Sequence, residues 1–277
     1  MVTIEKLPGR FDYQESGAGP TVVLVPGSCS TGAAWSPVMS AWGGRFRCVT
    51  TSLLGYGGTA ERRSPGDSSI AHEADMLETV VWRAGRRVHL VGHSFGGLVA
   101  LAVALRKNLP LASLTVLEAP APELLRSCGE YRHYDAIRRM THAYFAHFAA
   151  GNTEAIAAMI DFYGGAGTFA ALPQQVRAYA IETTPVNMLD WASAYGFPLS
   201  ADALAAIDIP VLVAWGGSSH PAMRCLNALL GEHIRGATVV ELGGAAHFMI
   251  ATHAIQVAAL VARHVARAEP GNQARKY

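Results

Sequence analysis

An apolar segment that runs directly into the pentapeptide Gly-His-Ser-Phe-Gly, residues 92–96, is the feature that most restricts the fold of this chain. Residues 88–91 have the character of a buried strand, and the Ala- and Leu-rich residues after the pentapeptide have that of a helix. A chain that passes from strand to helix within so few residues must turn sharply, with Ser94 at the apex. Gly92 and Gly96 suit such a turn because strand and helix approach closely only where side chains are absent. The sequence therefore predicts that the Ser94 hydroxyl lies at a helix N-terminus, where negative charge is stabilised.

This unit and its flanking segments resemble the α/β-hydrolase family, and the resemblance extends over nearly all of the chain. Residues 21–28 are typical of the family's buried strand and the turn after it, with Pro26 in place of the usual His. Residues 47–59 resemble the next strand and its Gly-x-Gly-x-Ser/Thr loop, with Ser52 in place of the usual Asp. The resemblance implies that the backbone N–H groups of Ser28 and Phe95 form an oxyanion hole.

The family places its catalytic histidine in a loop near the end of the chain, and His247 lies at that position. Residues 243–246 are Gly and Ala, a predicted strand covers residues 237–242, and a helix is predicted from about 253 to 267. An imidazole on such a loop can reach the hydroxyl of Ser94. The resemblance therefore implies that His247 is the general base of a serine nucleophile.

The carboxylate that would orient this histidine is missing from its usual place. Most relatives carry an Asp just after the next-to-last strand, but here residues 216–221 are Gly-Gly-Ser-Ser-His-Pro. Glu118 stands at the carboxyl end of the preceding predicted strand, a position that supplies the acid in some family members. The chain order Ser94, Glu118, His247 also agrees with that of the family. We therefore predict that Glu118 accepts the Nδ1–H of His247.

Other interpretations of these carboxylates stay open. Glu118 could instead be a solvated strand-end residue or could cap the helix that begins near Pro122. Glu241, at the end of the last predicted strand, is then the next candidate for the acid. Failing both, the chain would be a Ser–His dyad or a protein without catalytic activity.

The order of predicted elements indicates one α/β domain with an insertion. Strands are expected near residues 2–6, 10–16, 21–26, 46–52, 87–92, 112–118, 210–215 and 237–242. With helices between most of them, they predict a mostly parallel, eight-stranded sheet covered on both faces, as in the α/β-hydrolase fold. The interval after the sixth strand is too long for a loop, so a helical cap is expected there. The predicted division is core over residues 1–120, cap over residues 121–207 and core over residues 208–277.

The predicted cap would cover Ser94 and contribute to a substrate pocket. Apolar residues at helical spacing predict cap helices over residues 134–148, 176–188 and 189–195. Aromatic side chains on these helices could line the pocket, or could serve only to pack the cap against the core. The candidate pocket residues are Cys29, His93, Tyr144, Phe148 and Trp191.

Composition argues against several classes of protein. The chain has 277 residues, 51% of them apolar, so it can bury a sizeable core. A formal net charge of +1 provides no field that attracts nucleic acid or an anionic membrane. No apolar stretch reaches the ~18 residues of a membrane span, and the first residues lack the pattern of a secretory signal. The four cysteines are scattered without metal-ligand spacing, which predicts reduced thiols in the cytoplasm and no metal site.

These residues together predict a cytoplasmic serine hydrolase that works without a cofactor. Ser94 would attack a carbonyl, and water would resolve the acyl-enzyme. Small, rather apolar carboxylic esters are the expected substrates, and the chain is expected to be a monomer or a homodimer. Thioesters, lactones and carbon–carbon bonds next to a ketone stay open, because the same residues can cleave them. A non-catalytic small-molecule receptor on the same fold is the alternative from a different class.

Overall fold

A computed structural model of the chain describes residues 10–269, and one sheet lies at its centre. The strands found in these residues are β1 (Gln14–Ser16), β2 (Thr21–Val25), β3 (Arg47–Thr50), β4 (Val88–His93), β5 (Leu111–Leu117), β6 (Val211–Gly216) and β7 (Thr238–Leu242). They pair in the order β1-β3-β2-β4-β5-β6-β7. Strand β1 is antiparallel to β3, and the other neighbouring strands are parallel.

The predicted α/β architecture is confirmed, with a different number of strands. Seven strands are found in residues 10–269 instead of eight, and the strand predicted at residues 2–6 lies outside the described residues. The strand predicted at residues 10–16 is shorter than expected, since only Gln14–Ser16 pairs with β3. Because the count begins one strand later, the long insertion follows the fifth described strand.

Helices connect the strands. In the described residues they are α1 (Ser36–Trp42), α2 (Ile70–Ala84), α3 (Phe95–Arg106), α4 (Pro122–Ser127), α5 (Tyr131–Ala149), α6 (Ile156–Gly164), α7 (Thr168–Ala171), α8 (Gln174–Glu182), α9 (Thr184–Gly196), α10 (Ala201–Ala205), α11 (Pro221–His233), α12 (Met249–Thr252) and α13 (Ala254–Ala268). None of these helices is long and apolar enough to span a membrane.

The two faces of the sheet carry separate apolar clusters. Helices α2 and α3 pack on one face, and α1 and α13 pack on the other. Strands β4 and β5 are therefore buried along their whole length, as expected for parallel strands covered on both faces. Helix α3 is buried over ten consecutive residues, because its many Ala and Gly residues let it lie close to the sheet.

Helices α4 to α10 fill the interval between β5 and β6 that the sequence assigns to a helical cap. The division at residues 121 and 207 stays a prediction. Two predicted helix boundaries are wrong. The break expected between residues 188 and 189 is absent, because α9 runs through it, and the helix expected over residues 176–188 is instead interrupted at Thr183 between α8 and α9. Pro185 is the second residue of α9, and a proline lacks the N–H that a continuous helix needs at that point. The apolar spacing alone did not reveal this break.

A buried imidazole joins helix α13 to the sheet and gives the fold a dependence on pH. The Nε2–H of His264 donates to the carbonyl oxygen of Leu114 on β5 at 3.1 Å. Burial lowers the pKa of His264 to about 4, and hydrogen bonds to backbone carbonyls only partly oppose this. In the unfolded chain a histidine titrates near 6.5. As pH falls below 6.5, the unfolded state therefore binds a proton that the folded state does not, and stability decreases.

We predict that His264→Gln weakens the acid sensitivity of the fold. Glutamine keeps an N–H donor but does not titrate, so the loss of unfolding free energy between pH 7 and pH 5 should shrink by about 2 kcal/mol. Urea unfolding at several pH values measures this difference. The control is His142→Gln on the exposed side of α5, which should leave the pH dependence unchanged. An unchanged slope in His264→Gln would contradict the assignment.

Candidate active site

Ser94 forms the turn between β4 and α3 in a backbone conformation that few side chains adopt. Its φ is 54° and its ψ is −130°. Two hydrogen bonds hold this turn, from the Ser94 N–H to the Leu117 carbonyl at 2.8 Å and from the Gly97 N–H to the Ser94 carbonyl at 2.8 Å. A Cβ at Gly96 would overlap the carbonyl oxygen of Pro26, so only glycine fits there. The predicted strand–turn–helix unit is therefore found with Ser94 at its apex.

The structure brings Ser94, His247 and Glu118 together in one line of hydrogen bonds. The Oγ of Ser94 lies 2.9 Å from Nε2 of His247, and Nδ1 of His247 lies 2.7 Å from Oε2 of Glu118. All three side chains are buried. With an ionised Glu118, the imidazole carries its proton on Nδ1, and its Nε2 is free to accept the Ser94 proton. The arrangement is that of a nucleophile, a base and an orienting carboxylate.

Glu118 is held in place by donors from the loop after β6. Its Oε1 accepts the N–H of Gly216 at 2.7 Å and also the hydroxyl of Ser219. Burial opposes ionisation of Glu118, but the bonds from His247, Ser219 and Gly216 outweigh it and lower the pKa of the carboxyl. Ser219 lies in the segment after β6 where the family resemblance leads one to expect an acid, and it donates its hydroxyl to Glu118 instead.

Two aromatic side chains fix the position of His247. The Nε2–H of His93 donates to the backbone carbonyl of His247 at 2.7 Å. Burial, together with the nearby His247, lowers the pKa of His93 to about 3, so His93 stays neutral and serves as a donor. The ring of Tyr163, from α6, stacks on the His247 imidazole with ring centres 4.1 Å apart. The base is therefore contacted from both the core and the insertion.

Backbone from two elements lies beside Ser94 where an oxyanion would form. Phe95 is the first residue of α3, and a helix has no internal acceptor for its first N–H groups. The chain after β2 passes close to Ser94, since a Cβ at Gly27 would come within 2.8 Å of the Ser94 Cβ. Ser28 follows directly and, like Phe95, lines the cavity in front of Ser94. Both residues named by the sequence thus lie next to the nucleophile.

Asp190 on α9 is a site residue that the sequence analysis missed. Its Oδ2 accepts the hydroxyl protons of Ser28 at 2.5 Å and Tyr56 at 2.6 Å. Its Oδ1 accepts from Nη1 of Arg63 at 2.8 Å. A carboxylate between Leu and Trp in an apolar helix was the available signal, but its partners lie more than 120 residues away. Asp190 joins the insertion to the loop that carries Ser28.

Arg63 is the positive centre of this buried network. Its guanidinium also lies 3.3 Å from Glu73 on α2, and both side chains are fully shielded from solvent. Burial raises the pKa of Glu73 to about 8 against the opposing influence of Arg63, and the charge on Asp190 raises it further. Burial thus favours the neutral form of Glu73, and the carboxylates closest to Arg63 are Asp190 and the partly exposed Glu61, each with an oxygen 2.8 Å from the guanidinium.

A cavity of about 820 Å³ opens in front of Ser94 and His247, and most of its wall is apolar. Three of the predicted pocket residues, Cys29, His93 and Trp191, line it. Tyr144 and Phe148 do not line it, so the prediction for these two residues is wrong. Tyr144 is completely buried against neighbouring helices, with its hydroxyl 3.5 Å from the Thr184 carbonyl. The insertion contributes its cavity lining from α6 to α9 and not from α5.

Two other candidates lie elsewhere. Glu241 is exposed and accepts from Nε1 of Trp215 at 3.1 Å, so it is not placed to orient His247. The donor atoms of Glu130, His133 and Cys225 lie within 4.8 Å of one another, a grouping that sequence spacing did not predict. None of these three residues belongs to the cavity wall.

Burial raises the pKa of Cys29, which does line the cavity, to about 12, so its thiol is not an available nucleophile.

We predict that Asp190→Asn destabilises the fold. The substitution removes one of the two carboxylates that lie 2.8 Å from the buried Arg63 guanidinium and directs an amide N–H at a guanidinium N–H, so the unfolding free energy should fall by on the order of 3 kcal/mol. Chemical denaturation measures the change. The control is Asp208→Asn, which breaks a solvent-exposed pair with Lys107 and should leave stability unchanged. Equal stability of both variants would show that Asp190 does not compensate Arg63.

Comparison with known proteins finds named hydrolases and esterases among the relatives of this chain. A sequence model described as the alpha/beta hydrolase family matches residues 22–260. A provisionally assigned carbamate hydrolase, RutD, of Azorhizobium caulinodans is 26% identical over 244 residues, covering 85% of this chain and 87% of that protein. The pimeloyl-[acyl-carrier protein] methyl ester esterase of Vibrio cholerae is 37% identical over 109 residues, covering 39% of this chain and 40% of that protein.

Solved structures show the same fold. An esterase from Exiguobacterium antarcticum superposes with a TM-score of 0.72 at 15% identity, covering 92% of this chain and 95% of its own. A hydrolase from Oleispira antarctica gives a TM-score of 0.74 at 17% identity, covering 93% and 95%. At these identities the likeness concerns the fold and not the substrate.

Proposed function

The chain belongs to the α/β-hydrolase family, and on that premise we propose that it is a serine hydrolase that cleaves small, rather apolar carboxylic esters through an acyl-enzyme. The observation that carries the proposal is the hydrogen-bonded series Ser94, His247 and Glu118 at the wall of an apolar cavity. The strained turn at Ser94 and the lowered pKa of Glu118 are further support, because both prepare groups for reaction.

In the proposed mechanism, Ser94 Oγ attacks the ester carbonyl while His247 Nε2 takes its proton. The N–H groups of Ser28 and Phe95 donate to the oxyanion that forms. The Glu118 carboxylate holds the imidazole in the required tautomer and stabilises its charged form. When the tetrahedral intermediate collapses, the alcohol leaves with the proton from His247. A water molecule, deprotonated by the same imidazole, then attacks the acyl-Ser94 ester and releases the acid.

Apolar esters are the favoured substrates because the cavity wall is mainly apolar and, as formed by residues 10–269, contains no Lys or Arg that would select an acid. Among the relatives, the Vibrio protein is named for a methyl ester, which agrees with an ester substrate. The Azorhizobium protein is named for a carbamate, in which a nitrogen adjoins the same kind of carbonyl. Carbamates are therefore a second class for a substrate screen, beside thioesters, lactones and ketone-activated carbon–carbon bonds.

Labelling with a fluorophosphonate probe tests the proposal against a receptor on the same fold. An enzyme reacts covalently at Ser94 and turns over p-nitrophenyl acyl esters. A receptor shows a ligand-induced rise in melting temperature without labelling.

A cytoplasmic location stays a prediction based on the four cysteines, which are unpaired in this structure.

We predict that Ser94→Ala and His247→Ala each reduce ester hydrolysis at least a thousandfold in a folded protein. The first substitution removes the nucleophile and the second removes its base, so neither variant can form the acyl-enzyme efficiently. Kinetics with a p-nitrophenyl ester measure the loss, and circular dichroism checks the fold. Turnover near the wild-type rate in either variant would refute the mechanism.

Glu118→Gln is expected to lower kcat by roughly two to four orders of magnitude. The amide has nearly the same shape as the carboxylate but favours the wrong imidazole tautomer and cannot stabilise the imidazolium. Glu241→Gln is the matched control. Glu241 is the other strand-end carboxylate, and it accepts hydrogen bonds from Trp215 and Arg224. If Glu118→Gln hydrolyses esters normally, while Glu241→Gln does not, the orienting acid has been misassigned.

A further inference from the structure

A buried amide without a partner lies in the wall of the catalytic cavity. Three buried side-chain polar atoms lack a hydrogen-bond partner among residues 10–269, namely Trp35 Nε1, Thr115 Oγ1 and Asn187 Oδ1. Of these three residues, only Asn187 lines the cavity. Asn187 lies on α9 and is 2% exposed. Leaving a buried acceptor unpaired costs free energy, which a ligand donor at that point would restore.

Several polar groups of the cavity wall near Asn187 already have partners. Asp190 accepts three hydrogen bonds, and the Ser28 hydroxyl is one of their donors. The ring of His93 donates to the backbone of His247. The hydroxyl of Ser30 donates to the Gly27 carbonyl at 3.0 Å. The Asn187 side chain therefore differs from these groups in having an amide oxygen without a hydrogen-bond partner.

The position of Asn187 on α9 relates it to the reacting carbonyl. Asn187 precedes Asp190 by three residues, so their Cβ atoms lie on one helix face at a separation of about 5–6 Å. Asp190 contacts Ser28, which we propose as an oxyanion donor. A substrate whose carbonyl oxygen meets Ser28 thus places atoms only a few bonds away from that carbonyl near Asn187.

On the basis of the proposed function, we infer that Asn187 recognises a neutral hydrogen-bonding group, a hydroxyl or an N–H, carried by the substrate a few bonds from its scissile carbonyl. The ligand donates to Oδ1 of Asn187, and a hydroxyl can pair with either atom of a side-chain amide. A neutral group is required because an anion there would meet Asp190 one turn along the helix. A cation would gain little, because the charge of Asp190 is already balanced by Arg63.

Two matched pairs of esters test the inference and distinguish the acyl side from the alcohol side. The first pair is p-nitrophenyl butyrate and p-nitrophenyl 3-hydroxybutyrate, and the second is ethyl butyrate and 2-hydroxyethyl butyrate. In the wild type, kcat/KM should favour the hydroxylated member of at least one pair by about tenfold, as expected for one good hydrogen bond in a dry site. In Asn187→Leu, which keeps the side-chain volume but removes the amide, that ratio should fall to about one.

Thr252→Val is the matched control at the cavity rim. It is also an exchange of a polar for an apolar side chain, but the Thr252 hydroxyl already has the Phe248 carbonyl as its acceptor at 3.2 Å. The preference for the hydroxylated ester should persist in this variant. A preference that is lost equally in Thr252→Val and Asn187→Leu would assign it to the general polarity of the cavity and overturn the inference.

Binding to Ser94→Ala separates this inference from the proposed function. Calorimetry with the same ester pairs measures affinity without turnover, so it reports on Asn187 even if the chain is a receptor. Tighter binding of a hydroxylated ester that disappears in Ser94→Ala/Asn187→Leu supports the inference whether or not wild type hydrolyses esters. Wild-type hydrolysis with equal kcat/KM and equal affinity within both pairs would refute the role of Asn187 and leave the proposed function intact.

Discussion

The parallel alignment of β4, β5 and β6 is the constraint on which the site depends. Parallel strands end at the same edge of a sheet, so Ser94 after β4, Glu118 after β5 and Gly216 at the end of β6 are brought to one edge although they are far apart in sequence. The register of the strand pairing fixes the positions of these residues relative to one another along the strand direction. His247, which follows the neighbouring β7, then needs only a short loop to lie between Ser94 and Glu118.

The same edge must stabilise a carboxylate that is completely buried. A buried charge is tolerated only where hydrogen bonds replace the lost water, and Glu118 receives them from a backbone amide, a hydroxyl and an imidazole. The backbone at Glu118 has a φ of 51°, so the chain turns sharply as it leaves β5. Ser219, in the loop after β6, provides a hydroxyl donor at a point where a second carboxylate would repel Glu118.

The sequence was sufficient for those parts of the site that are determined by strand ends. Ser94, Glu118 and His247 each follow a strand that is recognisable from its apolar residues, and strand order brings them together. Asp190, Ser219 and the cavity wall depend instead on how the insertion packs on the core, and no local pattern contains that information. Tyr144 shows the limit of sequence-based prediction. The apolar spacing on α5 predicts that this residue is buried, but it does not indicate whether the side chain faces a cavity or another helix. Pro185 is the local signal for the break before α9, and the apolar spacing does not contain it.

The buried network at Asp190 also determines which part of the insertion can stay attached while a substrate enters. Moving α9 away from the core would separate Asp190 from Ser28, Tyr56 and Arg63 at once, and it would remove one of the counter-charges of a buried guanidinium. Because Ser28 is one of these partners, such a motion would also disturb the proposed oxyanion donors. Helix α9 is therefore best regarded as a fixed wall of the cavity. The exposed lining residues include Val176 on α8, which is 46% exposed, Thr252 on α12 and Pro37 on α1, so the open side of the cavity lies among these three helices and away from α9.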